Sequence, residues 1–281
     1  MLKILQRPIR DKVEKLLRNV GDMSLKRRAN KIIDGLDLKP EDKIVDVGCG
    51  DGFFLYLLSH LTVKLNLTGS DSDKRILTIA KKNLGKKRIR LVYEDATNMP
   101  FPKNNFDKAI MTEVLEHIED DKKALREVYR ILKPKGILII TVPSYNFPFL
   151  WDPINWILQN LFGTHISGIG FFAGIWARHI RLYKRRNLEK IIKDTGFKIE
   201  EIEELTTRCL PFNHYLVNLV ARFLYDVKPY SKISDPLSKF KNVKKPFFIG
   251  LAFFTVNILD KLNDIFPGKH GLNIYVKAKK I

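Results

Sequence analysis

The sequence predicts an α/β fold, a doubly wound parallel sheet with helices on both faces. Three observations predict it. Between Lys43 and Val142, short apolar runs alternate with stretches of helical periodicity, the pattern of strands joined by crossover helices. The first run ends in glycines at 48, 50 and 52, where a strand can turn tightly into a helix. The length, 281 residues, suits one elaborated domain or two small ones.

The elements follow in order. Residues 1–39 form a first segment; its first 31 residues carry ten Lys or Arg against three acids. Leu5, Ile9, Val13, Leu16, Leu17 and Val20 recur at helical spacing, which predicts one or two basic amphipathic helices. Such helices pack their apolar stripe on the main domain and leave the basic face in water. The core, 40–142, opens with a strand over 43–48 and a helix over 53–60. Strands over 65–70 and 89–93 flank a helix over 73–84. A fourth strand covers 106–112, a helix runs from about 120 to 132, and a fifth strand covers 136–142. Lys133-Pro-Lys-Gly136 reads as a turn that stops the helix and starts that strand.

After Val142 the rhythm breaks. Residues 143–180 are nearly uncharged and hold all three tryptophans, Trp151, Trp156 and Trp176. Asp152-Pro153 predicts a helix cap followed by a first-turn proline. The core continues over 181–206, with a helix at 185–195 and a strand at 197–205. A second irregular, apolar and basic block spans 207–270, and 271–281 ends in an alternating strand at 272–279. The fifth and sixth strands end at the same sheet edge as the glycine loop, so both irregular blocks should cap a pocket there.

Composition narrows the function. Apolar content of 45% excludes disorder as the main reading. Two cysteines, Cys49 and Cys209, exclude a disulfide framework and a four-thiolate metal site. The net charge of +19 points to an anionic partner: nucleic acid, a membrane surface or a phosphorylated compound. No secretory signal is expected. The greasiest run, Pro246 to Leu259, is shorter than the roughly 20 residues that span a bilayer. The expected location is cytoplasmic, with possible attachment to the inner face of the membrane.

The informative stretch is Ile44-Val-Asp-Val-Gly-Cys-Gly-Asp-Gly52. It lies at the carboxyl edge of the sheet, where open α/β sheets bind ligands. Asp71 closes the second strand about 20 residues on, where an acid accepts from both hydroxyls of a ribose. Asp95 follows the third strand and can read an adenine amino group. Position 53 is Phe rather than the third glycine of the dinucleotide fingerprint, which argues against NAD.

These residues resemble the motifs of class I S-adenosylmethionine-dependent methyltransferases. VDVGCGDG resembles the first motif and GSD, ending at Asp71, the ribose-binding second. EDATNMPFPKNNFD (94–107) resembles the third. TEVLEHI (112–118) resembles the segment after the fourth strand in the branch containing quinone-biosynthesis methyltransferases, and EVYRILKPKGILIITVP (127–143) the run through the fifth strand. The resemblance covers about 40–143 and, more weakly, 179–206 and 272–279. It implies a Rossmann-like sheet, mostly parallel with an antiparallel last strand, and S-adenosylmethionine as cofactor.

The resemblance also implies roles. Asp46, Gly48, Cys49, Gly50 and Gly52 should line the methionine end of the cofactor. Asp71, with Ser72 beside it, should hold the ribose, and Asp95 and Ala96 should flank adenine. Thr112 and Glu113 should lie beside the methionine part, facing the acceptor. His179, in His-Ile-Arg-Leu-Tyr183, is the candidate base or acceptor-orienting residue, with Glu113 a second catalytic candidate. Each has a plainer alternative. Asp46 can be held by loop amides, Cys49 can be a packing residue, and His117 and His179 can be structural. Glu116 can be a solvated helix-start acid. Arg178 and Arg181 can hold a phosphate or make surface ion pairs. No metal is expected, because methyl transfer from a sulfonium needs only positioning and, for some acceptors, a base.

The acceptor expected is a lipid-like or other amphipathic small molecule. Phe147, Phe149, Trp151, Trp156, Phe162, Phe171, Phe172 and Trp176 fill one cap, and Phe247, Phe248, Phe253 and Phe254 the other. Lys239, Lys241, Lys244 and Lys245 stand next to the second group. Aromatic surface beside lysines suits an anionic bilayer; an ordinary cap core with a solvated lysine rim is the alternative. An RNA methyltransferase is the next reading, motivated by charge, though no RNA-binding module is recognisable. A non-catalytic scaffold with this fold is the third.

Overall fold

The structure, a computed structural model, describes residues 2–18, 20, 22–168, 171–208, 239–240, 258, 260–266 and 268–281. Two helices come first, α1 (Leu2–Leu17) and α2 (Met23–Gly35). The core then alternates β1 (Lys43–Val47), α3 (Phe53–Ser59), β2 (Asn66–Asp71), α4 (Lys74–Leu84), β3 (Arg90–Tyr93) and β4 (Phe106–Thr112). It goes on through α5 (Asp121–Ile131), β5 (Leu132–Pro143), α6 (Pro153–Phe162), α7 (Arg185–Asp194) and β6 (Phe197–Leu205). A short helix α8 (Leu262–Ile265) and β7 (Asn273–Lys280) close the chain.

The seven strands lie in the order β3-β2-β1-β4-β5-β7-β6. All neighbours are parallel except at β7, which runs antiparallel to both β5 and β6. β1 pairs with β2 on one side and β4 on the other, so the winding reverses between β1 and β4. That reversal is the topological switch point of a doubly wound sheet.

Period-two alternation sorts β1 between two apolar layers. Ile44 joins Leu55, Leu57 and Leu58 of α3 on one face, with Ile9, Val13 and Leu17 of α1, Ile32 of α2, and Leu36. Val45 and Val47 join Leu125 and Val128 of α5 and Leu188 and Ile192 of α7 on the other. The N-terminal helices therefore pack by their apolar stripe on the sheet. Asp22 caps α2 by accepting from Leu25 N, which satisfies an amide that a helix start leaves unpaired.

The expected turn at Lys133–Gly136 is instead an irregularity within β5. The strand begins at Leu132, and its register against β4 shifts between Phe106 and Lys108. Lys135 takes a positive φ of 65°, so the extra residues are absorbed without ending the strand.

The segment after β5 has its own small core of Phe147, Trp151, Ile175, Trp176, Leu182 and Leu272. Asp152 organises it from within. Its Oδ1 accepts from Asn155 N at the start of α6, and its Oδ2 from Asn155 Nδ2 and Ile175 N. Gly174 passes so close that a Cβ there would sit 1.7 Å from Asp152 Oδ2. Of the aromatics in this first cap, Phe147, Trp151 and Trp176 are buried. Phe149, Leu161, Phe162 and Phe172 remain exposed; the side chain of Phe171 is outside the description.

Cys209, His214, Lys241, Lys244, Lys245, Phe247, Phe248, Phe253 and Phe254 lie outside the described residues. In the second block, Lys239 Nζ lies 2.8 Å from Asp51 Oδ2. It also stands 4.8 Å over the Phe53 ring. Phe240 meets Phe53 and Tyr56 edge-on, so this piece of the block covers the glycine loop. Among the described residues no helix is long and apolar enough to cross a membrane.

Candidate functional site

The site is built where the winding reverses. Val47 is in register with Ser70 on one side and Met111 on the other. Gly48, Asp71 and Thr112 therefore leave the sheet side by side at its carboxyl edge. The loop from β1 to α3 then turns on three glycines with φ of 69°, 52° and 83° at Gly48, Gly50 and Gly52, a region that side chains disfavour. At Gly48 a Cβ would lie 2.4 Å from Val114 Cγ2, so glycine lets the loop press on the segment after β4. At Gly50 a Cβ would meet nothing within 4 Å; bare backbone faces outward.

Asp71 clasps this loop. Its Oδ2 accepts from Gly50 N and its Oδ1 from Asp73 N, both at 2.9 Å. Each carboxylate oxygen accepts more than one hydrogen bond, so the group shapes the loop and can still take a diol. Ser72 beside it is exposed. Cys49 is buried, its amide donating to Ser70 O at 2.8 Å. Its Sγ fills the space where a Cβ on Gly69 would come within 2.9 Å. Burial pushes the thiol up, which suits packing and not a nucleophile.

Asp46 differs from Asp71. It is wholly buried in β1, and neither oxygen meets a donor among the described residues. Burial, with the charges of Asp71 and Asp51 nearby, pushes it up to about 8. A buried carboxylate without a donor is costly, and this one sits beneath the glycine loop. The loop amides offered as its alternative partners go to Asp71 and to the backbone instead.

At the end of β3, Asp95 is exposed. Its Oδ1 accepts from Thr97 N at 2.8 Å, an Asx turn whose amide holds the carboxyl below its ordinary range. Ala96 is half-buried against the core. The preceding Glu94, which sequence reading passes over, is buried and pushed up to about 7 by burial. Its amide donates to Asp71 O at 3.1 Å.

Thr112 ends β4 and is nearly buried. Glu113 follows at φ 55° with both oxygens engaged. Oε1 accepts from Thr141 Oγ1 at 3.1 Å and pairs with Arg28 at 3.1 Å; Oε2 accepts from Asn273 Nδ2 at 3.0 Å. Ser24 donates to the other end of Asn273. These bonds brace Glu113 between α2, β5 and β7.

His179 comes to this edge from the far end of the cap. Ile180 N donates to Glu116 O at 3.0 Å, and Arg181 donates to the carbonyls of Ile118 and Glu119. Arg181 also pairs with Asp121 at 3.1 Å, so it makes internal bonds and not a phosphate site. Glu116 is not the solvated acid that its position in the sequence suggests. It is wholly buried, with neither oxygen meeting a hydrogen-bond donor among the described residues. Burial, reinforced by Glu113, holds it well above the ordinary carboxylate range. The Nε2 atoms of His117 and His179 each lie 3.9 Å from Glu116 Oε1. His165 stacks on Trp176 at 3.7 Å, away from this cluster. Spacing in the sequence hides the cluster, because the loop that brings His179 back is the whole cap; the adjacent Glu116-His117 pair is its one local sign.

Comparison with known proteins agrees with this architecture. Residues 45–140 match the family model for the methyltransferase domain. A demethylmenaquinone methyltransferase of Thermotoga maritima is 33% identical over 130 residues, 46% of this chain and 55% of that protein. The chloroplastic 2-methyl-6-phytyl-1,4-hydroquinone methyltransferase of Arabidopsis thaliana is 26% identical over 166 residues, 59% of this chain and 43% of that one. The chain thus spans about half the length of these curated relatives. Among solved structures, phosphoethanolamine N-methyltransferase 2 of Haemonchus contortus, in complex with S-adenosyl-L-methionine, superposes with a TM-score of 0.56 at 20% identity, over 90% of this chain and 52% of that one.

Proposed function

The core of the chain is a class I S-adenosylmethionine-dependent methyltransferase domain, and from this premise we propose that the protein transfers a methyl group to a lipid-like, amphipathic small molecule. The observation that carries the transferase reading is Asp46, a buried carboxylate that meets no donor among the described residues, beneath an open glycine backbone. It is the partner that the ammonium end of S-adenosylmethionine needs. When bound, this cofactor supplies a methyl group on a sulfonium, a leaving group already activated.

The chain's own residues hold and orient. Asp46 accepts from the ammonium, and Gly48, Cys49, Gly50 and Gly52 shape the loop against the methionine end. Asp71, next to Ser72, accepts from the ribose hydroxyls while keeping its bonds to Gly50 and Asp73. Asp95 and Ala96 border the adenine, and Thr112 borders the methionine part. Glu113 is a positioning residue that ties the helix α2 to this edge. His179, beside His117, orients the acceptor from the cap side. Holding donor and acceptor in line supplies most of the acceleration.

Two observations support a lipid-like acceptor. The cap leaves the large apolar side chains of Phe149, Leu161, Phe162 and Phe172 exposed, the kind of surface that contacts lipid. The relatives named above act, by their names, on demethylmenaquinone and a phytyl hydroquinone. With a net charge of +19, that surface suits an anionic membrane.

The test has two arms. Titration calorimetry with S-adenosylmethionine should show binding to the native chain and at least a ~10-fold loss in Asp71→Ala, the scale of losing hydrogen bonds to a charged group. Undiminished binding in that variant refutes the cofactor site, and no binding to the native chain leaves a scaffold. Methyl transfer should then favour a long-chain hydroquinone over its short-chain analogue. Steeply salt-dependent transfer to tRNA would establish the RNA reading, which the same net charge favours.

A further inference from the structure

We propose that Glu116, His117 and His179 form a binding site for one divalent transition-metal ion. Four observations carry it. One donor atom from each of the three residues lies within 4.8 Å of the other two, and Glu116 Oε1 is 3.9 Å from both imidazole Nε2 atoms. Glu116 is wholly buried and its carboxylate meets no hydrogen-bond donor among the described residues. Buried carboxylates are ordinarily paired or coordinate a metal. The separation of 3.9 Å from each Nε2 is too long for a hydrogen bond, so the histidines do not meet this need directly.

The third observation is the orientation of His117. Its Nδ1 lies 3.0 Å from the carbonyl oxygen of Arg178. A carbonyl can only accept, so Nδ1 carries the proton, and in the neutral ring the lone pair sits on Nε2, towards the cluster. A ligating histidine is commonly fixed this way, its other nitrogen donating to a backbone carbonyl. Arg178 holds that carbonyl in place from a left-handed conformation, φ 63°, which costs a non-glycine residue and persists where surrounding bonds impose it. Its own amide donates to Gly168 O at 3.0 Å.

Fourth, the scaffold is braced from both sides. Glu116 and His117 sit on one 3-10 turn, Leu115–His117, and His179 arrives on a segment bonded to that turn through Ile180 and Arg181. The two imidazole rings meet edge-to-face at 4.9 Å. Glu113, three positions away, is taken by Arg28, Thr141 and Asn273, so the donor set is one oxygen and two nitrogens. Such a set favours zinc, iron(II) or manganese(II) over magnesium or calcium, which prefer all-oxygen shells. Metal–donor bonds of about 2.0–2.2 Å in tetrahedral geometry place donors roughly 3.3 Å apart. Binding therefore shortens the separations from Glu116 by about half an ångström and the longest separation in the cluster by at most about 1.5 Å, movements of the side chains alone.

Three protein ligands leave a coordination position open. His117 is the most exposed of the three, which places the opening on its side. Where the transferase reading holds, and only there, that position takes an oxygen of the acceptor and orients it towards the cofactor edge. The expectation of a metal-free site is replaced by this proposal; metal binding itself does not depend on the transferase reading.

The test uses the full chain, stripped with chelator and then titrated with cobalt(II) and zinc(II). Calorimetry and the cobalt absorption spectrum should report one equivalent per chain, with a spectrum of nitrogen and oxygen ligation. His117→Ala and His179→Ala should each weaken binding by at least ~100-fold, since removing a ligand exceeds the ~10–100-fold cost of losing an outer-shell partner. His270→Ala, at an exposed histidine, should leave it unchanged. If Glu116→Gln fails to fold, the two histidine variants decide the matter, their folding checked by circular dichroism. No bound equivalent in the native chain overturns the site, as does an equivalent whose affinity the histidine variants do not change. S-adenosylmethionine binding is read in the same samples: its absence with metal binding intact defeats the transferase reading alone.

Discussion

Replacing Asp46 with asparagine keeps the shape of this buried side chain and removes its charge. The folded chain holds the proton up to about pH 8, against an ordinary value of 3.8. Between those values the folded state binds a proton that the unfolded state has released, so stability is full below about pH 4 and is lost as pH rises towards 8. Each pH unit in that window costs about 1.4 kcal/mol, so from pH 4 to pH 7 the native chain loses up to about 4 kcal/mol through this group. Asp46→Asn does not titrate and escapes the loss. Denaturant melts of both proteins from pH 5 to pH 8, without cofactor, should therefore show the variant gaining on the native chain as pH rises. Glu116 and Glu94 titrate in both proteins and cancel in the difference. With S-adenosylmethionine present the order should reverse, because the ammonium lets Asp46 ionise and the amide cannot replace that bond; affinity should fall by at least ~10-fold, the scale of a charge-assisted hydrogen bond. Parallel pH profiles for the two proteins would refute the argument, since they would mean that Asp46 already has its partner in the folded chain.

Three further outcomes follow from the same geometry. Gly174→Ala puts a Cβ 1.7 Å from Asp152 Oδ2 at a φ of 57° and should destabilise the cap by about 3 kcal/mol, read as faster limited proteolysis between 143 and 180 with cofactor affinity unchanged. Gly48→Ala forces a Cβ to 2.4 Å from Val114 Cγ2 and should lower cofactor affinity while far-ultraviolet dichroism stays native; retained affinity would show that the loop can retreat from Val114. On vesicles containing anionic lipid the chain should float at low salt, and Leu161→Ser with Phe162→Ser, both 70% exposed, should reduce the floating fraction without affecting melting; a native chain that stays wholly in the aqueous fraction removes the membrane part of the proposal.

The sheet and the glycine-loop edge were largely legible because they rest on local signals. Alternation, glycines and end-of-strand acids are read within a few residues, and the strand at 106–112 and the helix start at Pro153 fall where those signals put them. Lys133–Gly136 misleads for a physical reason. Proline and glycine mark a turn in isolation, but pairing with β4 on one side and β7 on the other continues around the irregularity. The aromatic block stays ambiguous for another. Composition cannot tell a buried Trp176 from an exposed Phe172, because their sorting depends on Asp152 and its three bonds at the cap's centre.

The least legible feature is the one that joins the parts. Arg28 and Ser24 belong to a basic helical segment that composition alone assigns to solvent, yet Arg28 directly and Ser24 through Asn273 reach Glu113, the residue that follows Thr112. Glu113 in turn stands three positions from Glu116 and presses its charge on it. A change in α2 therefore reaches the cofactor edge and the Glu116 cluster through two side chains. Arg28 and Glu113 are partly buried, where an ion pair is screened less than at a surface and removing one member leaves the other charge uncompensated. In this arrangement α2 borders the site, and the positive charge of Arg28 pairs with Glu113 and partly offsets the burial that raises Glu116.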